Sequence, residues 1–308
     1  MKTDVAYEIV IVEDGSTTTS ETVVNTYKND INITYFVKQN TGPGDSRNFG
    51  MQNAKGNYFI ILDSDVILPP NYLSEVDKSL NIEFVDCFGG PDTAHESFNN
   101  LQKAINFAMT SFITTGGVRG GKGAVTDKFQ PRSFNMGLSK AAFIASRGFG
   151  HIHPGEDPDL SIRLWNLGFK TKLIPNAVVF HKRRMSWRKF YQQVKKFGLV
   201  RPILNKWHPH TNKLAYWFPS VFITGVYTAI ILLIFGITWL FWFYVLYFLV
   251  AFILAAIVTK SIKVAFMALL ALSIQFFAYG TGFLESVIAI QFLNKDPERH
   301  FPKLFFRI

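Results

Sequence analysis

The sequence of 308 residues has a single cysteine, Cys87, which excludes an intrachain disulfide. Thiols without disulfide partners are typical of a reducing compartment, so we expect the polar part of the chain in the cytosol. Residues 1–30 lack an apolar core of the length that a cleavable signal peptide requires, and none is expected. Charge is also absent from one long stretch, because Leu214 to Thr259 contains no Asp, Glu, Lys, Arg or His.

Acidic residues are missing between Lys182 and Lys213, a stretch with ten Lys and Arg. The net charge of the whole chain is +10, so the remainder sums to zero. Nucleic acid is the usual partner of a basic protein. Because this basic stretch runs directly into the uncharged one, an anionic membrane surface explains it better, and we expect no nucleic-acid partner.

The uncharged stretch is more than twice the roughly 20 residues that one membrane crossing needs. Three spans are predicted within a membrane region of 214–292, at about 217–235, 238–258 and 264–284. Lys260 and Lys263 stand in the short loop that would return to the catalytic side, as the positive-inside rule requires. A tail of residues 293–308 would then fall on the far side, against that rule, unless the third span dips and returns.

The segment 186–213 is predicted to be a basic, amphipathic region at the membrane surface. From Ser186 to Gly198, aromatic and apolar side chains recur at helical spacing, and Lys and Arg occupy the other positions. Ser186 is expected to cap this helix and Gly198 to end it. Packing on the polar domain is the competing role for its apolar face.

An α/β domain is predicted for residues 1–185. The run Tyr58–Leu62 is typical of a strand buried on both faces of a parallel sheet, and Asp63 and Asp65 follow at its carboxyl end, where open sheets bind ligands. Two neighbouring carboxylates suit Mg²⁺ or Mn²⁺ that bridges a diphosphate. The alternative is a solvated turn that caps the next helix.

Other polar residues also follow predicted strands. The strand Glu8–Val12 ends at Glu13 and Asp14, and Ile31–Val37 is followed by a glycine loop that contains Arg47. This loop imitates a dinucleotide fingerprint, but Arg47 stands at the third glycine position, where its side chain would block close helix–strand packing. Arg47 is better suited to a base, ribose or phosphate.

Three features in the second half of this domain complete the candidate site. Thr114–Ala124 is glycine-rich and is interpreted as a lid over substrate. Glu156, Asp157 and Asp159 open a helix, where capping alone would account for them. A strand predicted over Lys170–His181 ends in a histidine that is either a metal ligand or an ordinary edge residue.

The order and spacing of these motifs resemble family 2 of the inverting glycosyltransferases, which have the Rossmann-like GT-A fold. The matching residues are Glu13-Asp14-Gly15-Ser16, Arg47-Asn48, Asp63-Ser64-Asp65, Glu156-Asp157-x-Asp159-Leu160-x-x-Arg163 and His181. Each motif alone is common, and the resemblance over about residues 7–200 rests on their succession. Membrane members of this family also have a three-span anchor after the catalytic domain.

The resemblance implies a role for each residue. Asp14, with Glu13 beside it, would bind the base of a UDP- or GDP-sugar, and Arg47 would hold the nucleotide. Asp65 would ligate the metal, assisted by Asp63 and with His181 as a further ligand. Asp157 would be the general base that takes the acceptor's proton, and Glu156 and Asp159 would contact substrate beside it. A single displacement would invert the anomeric centre.

The chain departs from the family in one respect: the usual first strand, which precedes Glu8–Val12, is not seen, and we expect a truncated chain or a misplaced start. The main hypothesis is a metal-dependent hexosyltransferase of cell envelope polysaccharide. It would be a multi-pass protein of the inner membrane, with a cytoplasmic catalytic domain and a glycan or polyisoprenyl-lipid acceptor. The alternatives are a degenerate membrane scaffold and a dinucleotide-dependent oxidoreductase.

Overall fold

A computed structural model describes residues 5–93, 98–115, 128–181 and 186–306. Most of the predicted lid loop, from residue 116 onward, lies outside the described residues, and so do the side chain of His181 and residues 307–308. The chain forms two compact units. The sheet unit comprises Met1–His95, Gly123–Lys182 and Phe301–Ile308, and the helical unit comprises Glu96–Lys122 and Arg183–His300.

Short strands and helices alternate through the first part of the chain, and long helices follow. The strands are β1 (Ile9–Asp14), β2 (Ile33–Lys38), β3 (Tyr58–Leu62), β4 (Val66–Ile67), β5 (Cys87–Gly89), β6 (Asp92–Thr93), β7 (Asn135–Ser139), β8 (Thr171–Leu173) and β9 (Val179–His181). The helices are α1 (Glu21–Tyr27), α2 (Pro43–Asn53), α3 (Tyr72–Ile82), α4 (Asn100–Thr110), α5 (Phe112–Thr115), α6 (Lys140–Ser146), α7 (Glu156–Asn166), α8 (Trp187–Trp207), α9 (Phe218–Ile234), α10 (Trp239–Thr259), α11 (Ile262–Val287) and α12 (Pro297–His300).

The strands of the sheet unit form three groups. β1 pairs with β2 in parallel, β3-β7-β5-β8 form a four-stranded sheet, and β4-β9-β6 form a third group. β3 pairs antiparallel with β7, so the wholly parallel sheet predicted around Tyr58–Leu62 is wrong. A buried apolar run cannot report strand direction, because strands of either orientation can be covered on both faces. The carboxyl ends of β1 and β3 still carry Asp14 and Asp63.

The strand predicted over Lys170–His181 is two strands in different sheets. β8 pairs with β5 and β9 pairs with β4 and β6, with a turn between them closed by a hydrogen bond from the Ala177 N–H to the Ile174 carbonyl, 3.1 Å. Pro175-Asn176 occupies this turn. Both residue types favour turns, and this signal divides the apolar pattern in two.

Two apolar cores lie on opposite sides of the sheet β3-β7-β5-β8. Alternate residues of β3 contribute to one core or the other, because successive side chains of a strand point to opposite faces. Phe59 and Ile61 join the cluster that contains Leu160 of α7, and Tyr58 and Ile60 pack against the cluster that contains Tyr72 of α3. The first of these cores anchors α7, whose first turn carries Glu156 and Asp157.

The helical unit is assembled around α11, which packs against α4, α8, α9 and α10. The prediction that Gly198 ends its helix is wrong, because α8 continues to Trp207. A Cβ atom at Gly198 would overlap the backbone carbonyl of Tyr279 in α11, and one at Gly282 would collide with the backbone of Lys195. These glycines therefore permit a close crossing of α8 and α11, which the local sequence does not predict.

Among the residues that the structure describes, three helical segments are long and apolar enough to span a membrane, namely Leu214–Ile234, Trp239–Thr259 and Ile262–Phe292. They overlap the three predicted spans. The predicted domain boundaries are continuous, whereas the compact units are discontinuous. Helix α4 belongs with the apolar helices, and Phe301–Ile308 belongs with the sheets.

Candidate active site

Asp14 fastens the glycine loop that begins α2. Its Oδ1 accepts the Thr41 N–H and the Lys38 ammonium group, at 2.9 and 2.7 Å, and its Oδ2 accepts the Gly42 N–H at 2.9 Å. Burial raises the pKa of Asp14, but these hydrogen bonds outweigh it, so the net shift is downward. The carboxylate is therefore ionised, and it fixes the loop in a set position at the carboxyl end of β1.

Glu13, the second predicted donor-binding acid, is engaged within the fold. One carboxylate oxygen accepts from the backbone and the hydroxyl of Ser20, at 3.2 and 2.9 Å, and the other accepts from the Tyr35 hydroxyl at 2.9 Å. The residue is 8% exposed. Alternation along β1 turns Glu13 away from Asp14, and the contacts of Glu13 connect β1 to the start of α1 and to β2.

Arg47 lies among three of the predicted acids. Its Nη2 donates to Asp63 Oδ1 at 2.9 Å, and its Nη1 lies 3.3 Å from Glu156 Oε1. The guanidinium also lies over the Phe149 ring, 5.4 Å from its centroid. Burial lowers the pKa of Arg47, but the charges of Asp157, Asp63 and Glu156 outweigh it and raise the net value. The structure thus brings together residues from α2, the end of β3 and the start of α7.

Asp157 is the acid of this group whose pKa is raised. It stands in the first turn of α7, and its Oδ1 atom is buried without a hydrogen-bond partner in the part of the chain that the structure describes. Burial and the neighbouring Glu156 raise the pKa of Asp157, against the opposing charges of Arg47 and Arg132. A carboxylate with a raised pKa and one oxygen without a hydrogen-bond donor is suited to accept a proton.

The local chain geometry at Asp157 follows from its sequence. Gly155 precedes α7 with φ of +127°, a conformation that a residue with a Cβ rarely adopts. The acids of the first turn also interact favourably with the positive end of the helix. His153, two residues earlier, has its Nδ1 2.9 Å from Glu156 Oε1 and shares this carboxylate with Arg47. The helix start is therefore held from two sides.

Asp159, the third acid of this motif, has a structural partner one turn later. Its Oδ2 accepts from Arg163 Nε and Nη2 at 2.9 and 2.8 Å. Arg163 also donates to the carbonyls of Ser146 and, at 2.7 Å, Gly148. Asp159 is 6% exposed. This pair joins α7 to the loop after α6, so Asp159 supports the position of Asp157.

Two of the predicted metal ligands, Asp65 and His181, have backbones that lie close together. Asp65 is exposed at the turn after β3, and the next residue, Val66, pairs with His181 across β4 and β9. Asp63 is held by Arg47. Among the residues that the structure describes, no three His, Cys, Asp or Glu side chains form a ready metal cluster. An exposed carboxylate beside a histidine position fits an ion that takes its other ligands from a bound phosphate or water.

Sequence reasoning missed two residues of this site. Lys38, which ends β2, reaches Asp14 because parallel strands bring their carboxyl ends to one edge, and the sequence contains this signal. His153 stands three residues before Glu156, in the loop that precedes α7. That spacing within an irregular loop does not specify a contact, so its pairing required the tertiary structure.

Comparison with known proteins gives a family match for the first part of the chain. Residues 2–139 match the model of the family described as glycosyl transferase family 2. A protein of Rickettsia felis described as an uncharacterized glycosyltransferase is 32% identical over 108 residues, which cover 35% of this chain and 17% of that protein. A Campylobacter jejuni protein named GalNAc(5)-diNAcBac-PP-undecaprenol beta-1,3-glucosyltransferase is 34% identical over 102 residues, 32% of each chain. The matched stretch thus spans at most a third of these two relatives.

A likeness in structure extends further along the chain. The mannosyltransferase PcManGT from Pyrobaculum calidifontis, solved in complex with GDP-Man and Mn²⁺, superimposes with a TM-score of 0.51 at 14% identity. The superposition covers 94% of this chain and 79% of that one. At this identity the likeness establishes the fold. Residues 2–139, a little under half of the chain, thus match glycosyl transferase family 2, and the chain has a GT-A fold followed by apolar helices.

Proposed function

We propose that this chain transfers a hexose from a UDP- or GDP-sugar to a hydroxyl of a glycan or polyisoprenyl-lipid acceptor, with inversion at the anomeric carbon. The observation that carries the proposal is the set of side chains around Arg47. One arginine joins Asp63, at the end of β3, to Glu156, at the start of α7, beside an underpartnered Asp157. An inverting transfer requires one base near a site for a nucleotide, and this group would supply both.

Asp157 would take the proton of the acceptor hydroxyl while the oxygen of that hydroxyl attacks the anomeric carbon. The bond from that carbon to the diphosphate oxygen breaks, and the electron pair leaves with the nucleoside diphosphate. Arg47 holds Glu156 and Asp63 in place and lowers the proton affinity of Asp157, so the base is ionised over a wider pH range. Asp14 and Lys38 would order the loop that receives the nucleotide.

A divalent ion, Mg²⁺ or Mn²⁺, would be held by Asp65 and His181, with Asp63 near it. When bound, it would neutralise the charge that develops on the leaving diphosphate. The donor set of carboxylate oxygens and one imidazole suits either ion. PcManGT, which shares the fold, was solved with Mn²⁺ and GDP-Man, and this supports a divalent ion and a nucleotide-sugar donor here.

The acceptor class is supported by the helical unit and by one relative. The Campylobacter jejuni relative is named for a lipid-linked glycan acceptor. In this chain, three apolar segments and the basic helix α8 suit a site that works at a membrane surface. A lipid-linked acceptor would be presented at that surface.

The proposal is tested by incubating membranes that contain the chain with a panel of radiolabelled UDP- and GDP-sugars. We expect one sugar to enter the lipid or the polymer fraction, and a chelator of divalent ions to suppress the incorporation. Membranes from cells that lack the chain are the control. If no donor is incorporated and no nucleotide binds in calorimetry, the chain is a scaffold and the enzyme hypothesis is wrong.

For the membrane arrangement, we propose that α9 and α10 cross as a hairpin and that α11 remains on the catalytic side. Residues 181 and 301 both belong to the sheet unit, so the chain between them would cross the membrane an even number of times. Helix α11 is the most enclosed of the three candidates, because α4 and α8 pack against it. It also carries Glu285, which pairs with Lys195 of α8 at 3.0 Å.

This topology removes the conflict with the positive-inside rule. The turn between α9 and α10, Phe235–Thr238, has no charged residue and would lie on the far side. The basic stretch 182–213, the Lys260–Lys263 loop and the tail would all lie on the catalytic side, which would be cytoplasmic.

Single cysteines test this topology, because Cys87 is fully buried. We expect Thr238→Cys to react with an impermeant maleimide on intact bacterial cells. Lys295→Cys, whose parent residue is exposed, should react only in inverted vesicles. The parent chain, with Cys87 alone, controls for background labelling. Labelling of Lys295→Cys on intact cells would show that α11 crosses and would overturn the hairpin topology.

A further inference from the structure

The tail segment, Phe301–Phe306, is docked within the sheet unit. The His153 N–H donates to the Leu304 carbonyl at 2.7 Å, and the Phe306 N–H donates to the His151 carbonyl at 3.1 Å. Ile152 and Phe305 form an antiparallel bridge between these two bonds. Two tail side chains are buried, with Leu304 2% and Phe301 8% exposed. The tail thus has a short 3₁₀ turn at Pro302–Leu304 and two apolar anchors, and it pairs through Phe305 with the loop that precedes α7.

The ring of Phe306 reaches the loop that Asp14 holds. Gly42 has a φ of +97°, and a Cβ atom there would overlap the Phe306 ring. The N–H of the same glycine donates to Asp14 Oδ2 at 2.9 Å. The ring therefore lies directly against the peptide that Asp14 orders, and Gly42 is required both for its backbone conformation and for this contact.

The same ring also lies beside the start of α7. Its centroid is 5.9 Å from that of the His153 imidazole, which pairs with Glu156 next to Asp157. Gly42 follows β2, which pairs only with β1 among the described strands, whereas β3 belongs to another sheet. Without a ladder between these sheets, side-chain contacts such as those of Phe306 and Arg47 set the distance between the two parts of the site.

We propose that Phe306 is a positioning residue of the donor site. It holds the Asp14–Gly42 loop and residues 151–153 at a fixed separation, so that nucleotide and base are aligned. This inference rests on the proposed function. The tail follows the helical unit in sequence, so a chain cut before Phe301 would retain every residue of the family motifs and still have an incomplete donor site.

The test uses the full chain with Phe306→Ala, with Phe306→Tyr to restore the ring, and with Lys303→Ala as a control at an exposed position of the same tail. UDP and GDP with Mn²⁺ are the calorimetric probes. We expect Phe306→Ala to raise the dissociation constant roughly tenfold and to raise KM for the donor similarly, with little change in kcat. Phe306→Tyr should stay near the parent, as should Lys303→Ala. An unchanged dissociation constant in Phe306→Ala would overturn the proposal.

Hydrogen exchange separates a failure of this inference from a failure of the proposed function. If the parent chain binds neither UDP nor GDP, the proposed function is contradicted, but the positioning role can still be measured. Amides of residues 41–44 and 151–157 should then exchange faster in Phe306→Ala than in the parent and in Lys303→Ala. Equal exchange in all three chains would overturn the role of Phe306.

Discussion

Replacing Asp157 by asparagine is expected to lower the rate of sugar transfer roughly 10²- to 10⁴-fold, the range attributed to a positioned general base. The amide has nearly the same shape but cannot accept the acceptor's proton. The affinity for the nucleotide sugar should change little, because Asp14 and Lys38 order the donor loop. Single-turnover transfer assays and calorimetry measure the two quantities.

Asp30→Asn is the matched control, since it removes an exposed carboxylate outside the site. It should leave both the transfer rate and the donor affinity unchanged. Transfer by Asp157→Asn at the parental rate would exclude Asp157 as the base.

The same substitution should stabilise the protein at neutral pH. Burial raises the pKa of Asp157, so the folded chain holds that proton more tightly than the unfolded chain does. The resulting stabilisation is present at a pH below the ordinary pKa of an aspartate and is lost as the pH rises through the raised value. Asp157→Asn should therefore unfold at a higher Tm than the parent at pH 7, and the two Tm values should converge in acid. A lower Tm for the variant at pH 7 would contradict this.

Arg47→Met is expected to lower the free energy of unfolding by about 3 kcal/mol, the lower end of the range for removal of one partner of a buried ion pair. Arg47 and Glu156 are 15% and 6% exposed at their side chains, and removal of the arginine leaves Glu156 and Asp157 as adjacent carboxylates. The pKa of Asp157 should rise further, because Arg47 lowers it in the parent. The acid limb of the transfer rate should therefore move to higher pH.

A double variant distinguishes this account from a simple loss of packing. Arg47→Met with Glu156→Gln removes both members of the pair, and it should be more stable than Arg47→Met alone. Lys78→Met, at an exposed position of α3, controls for the exchange of a basic side chain for methionine. Chemical unfolding in detergent gives the free energies. If the double variant loses as much stability as the sum of the two single variants, the pair does not couple.

Much of the sheet unit could be predicted from local patterns. The strand at Tyr58–Leu62 and the acids at the start of α7 follow from an apolar run and from helix-capping preferences. The membrane-compatible helices were equally clear, because an uncharged apolar run longer than about 20 residues is typical of membrane spans. Local signals failed where a distant element decided the outcome. Gly198 lies inside a helix because α11 passes so close that a side chain there would overlap its backbone. Arg47 is held by an acid more than a hundred residues away.

The sequence by itself determined which residues are candidates for the chemistry. The order of Asp14, Arg47, Asp63 and Asp157 along the chain resembles the family pattern, and residue type alone makes the carboxylates candidates for proton transfer and metal binding. Only the tertiary structure decided which of these acids are paired within the fold and which has a raised pKa. It paired Glu13 and Asp159 within the fold, and it left Asp157 with a buried oxygen and a raised pKa. The physical reason is that proton affinity depends on burial and on neighbouring charges, which the folded chain sets through contacts between residues distant in sequence.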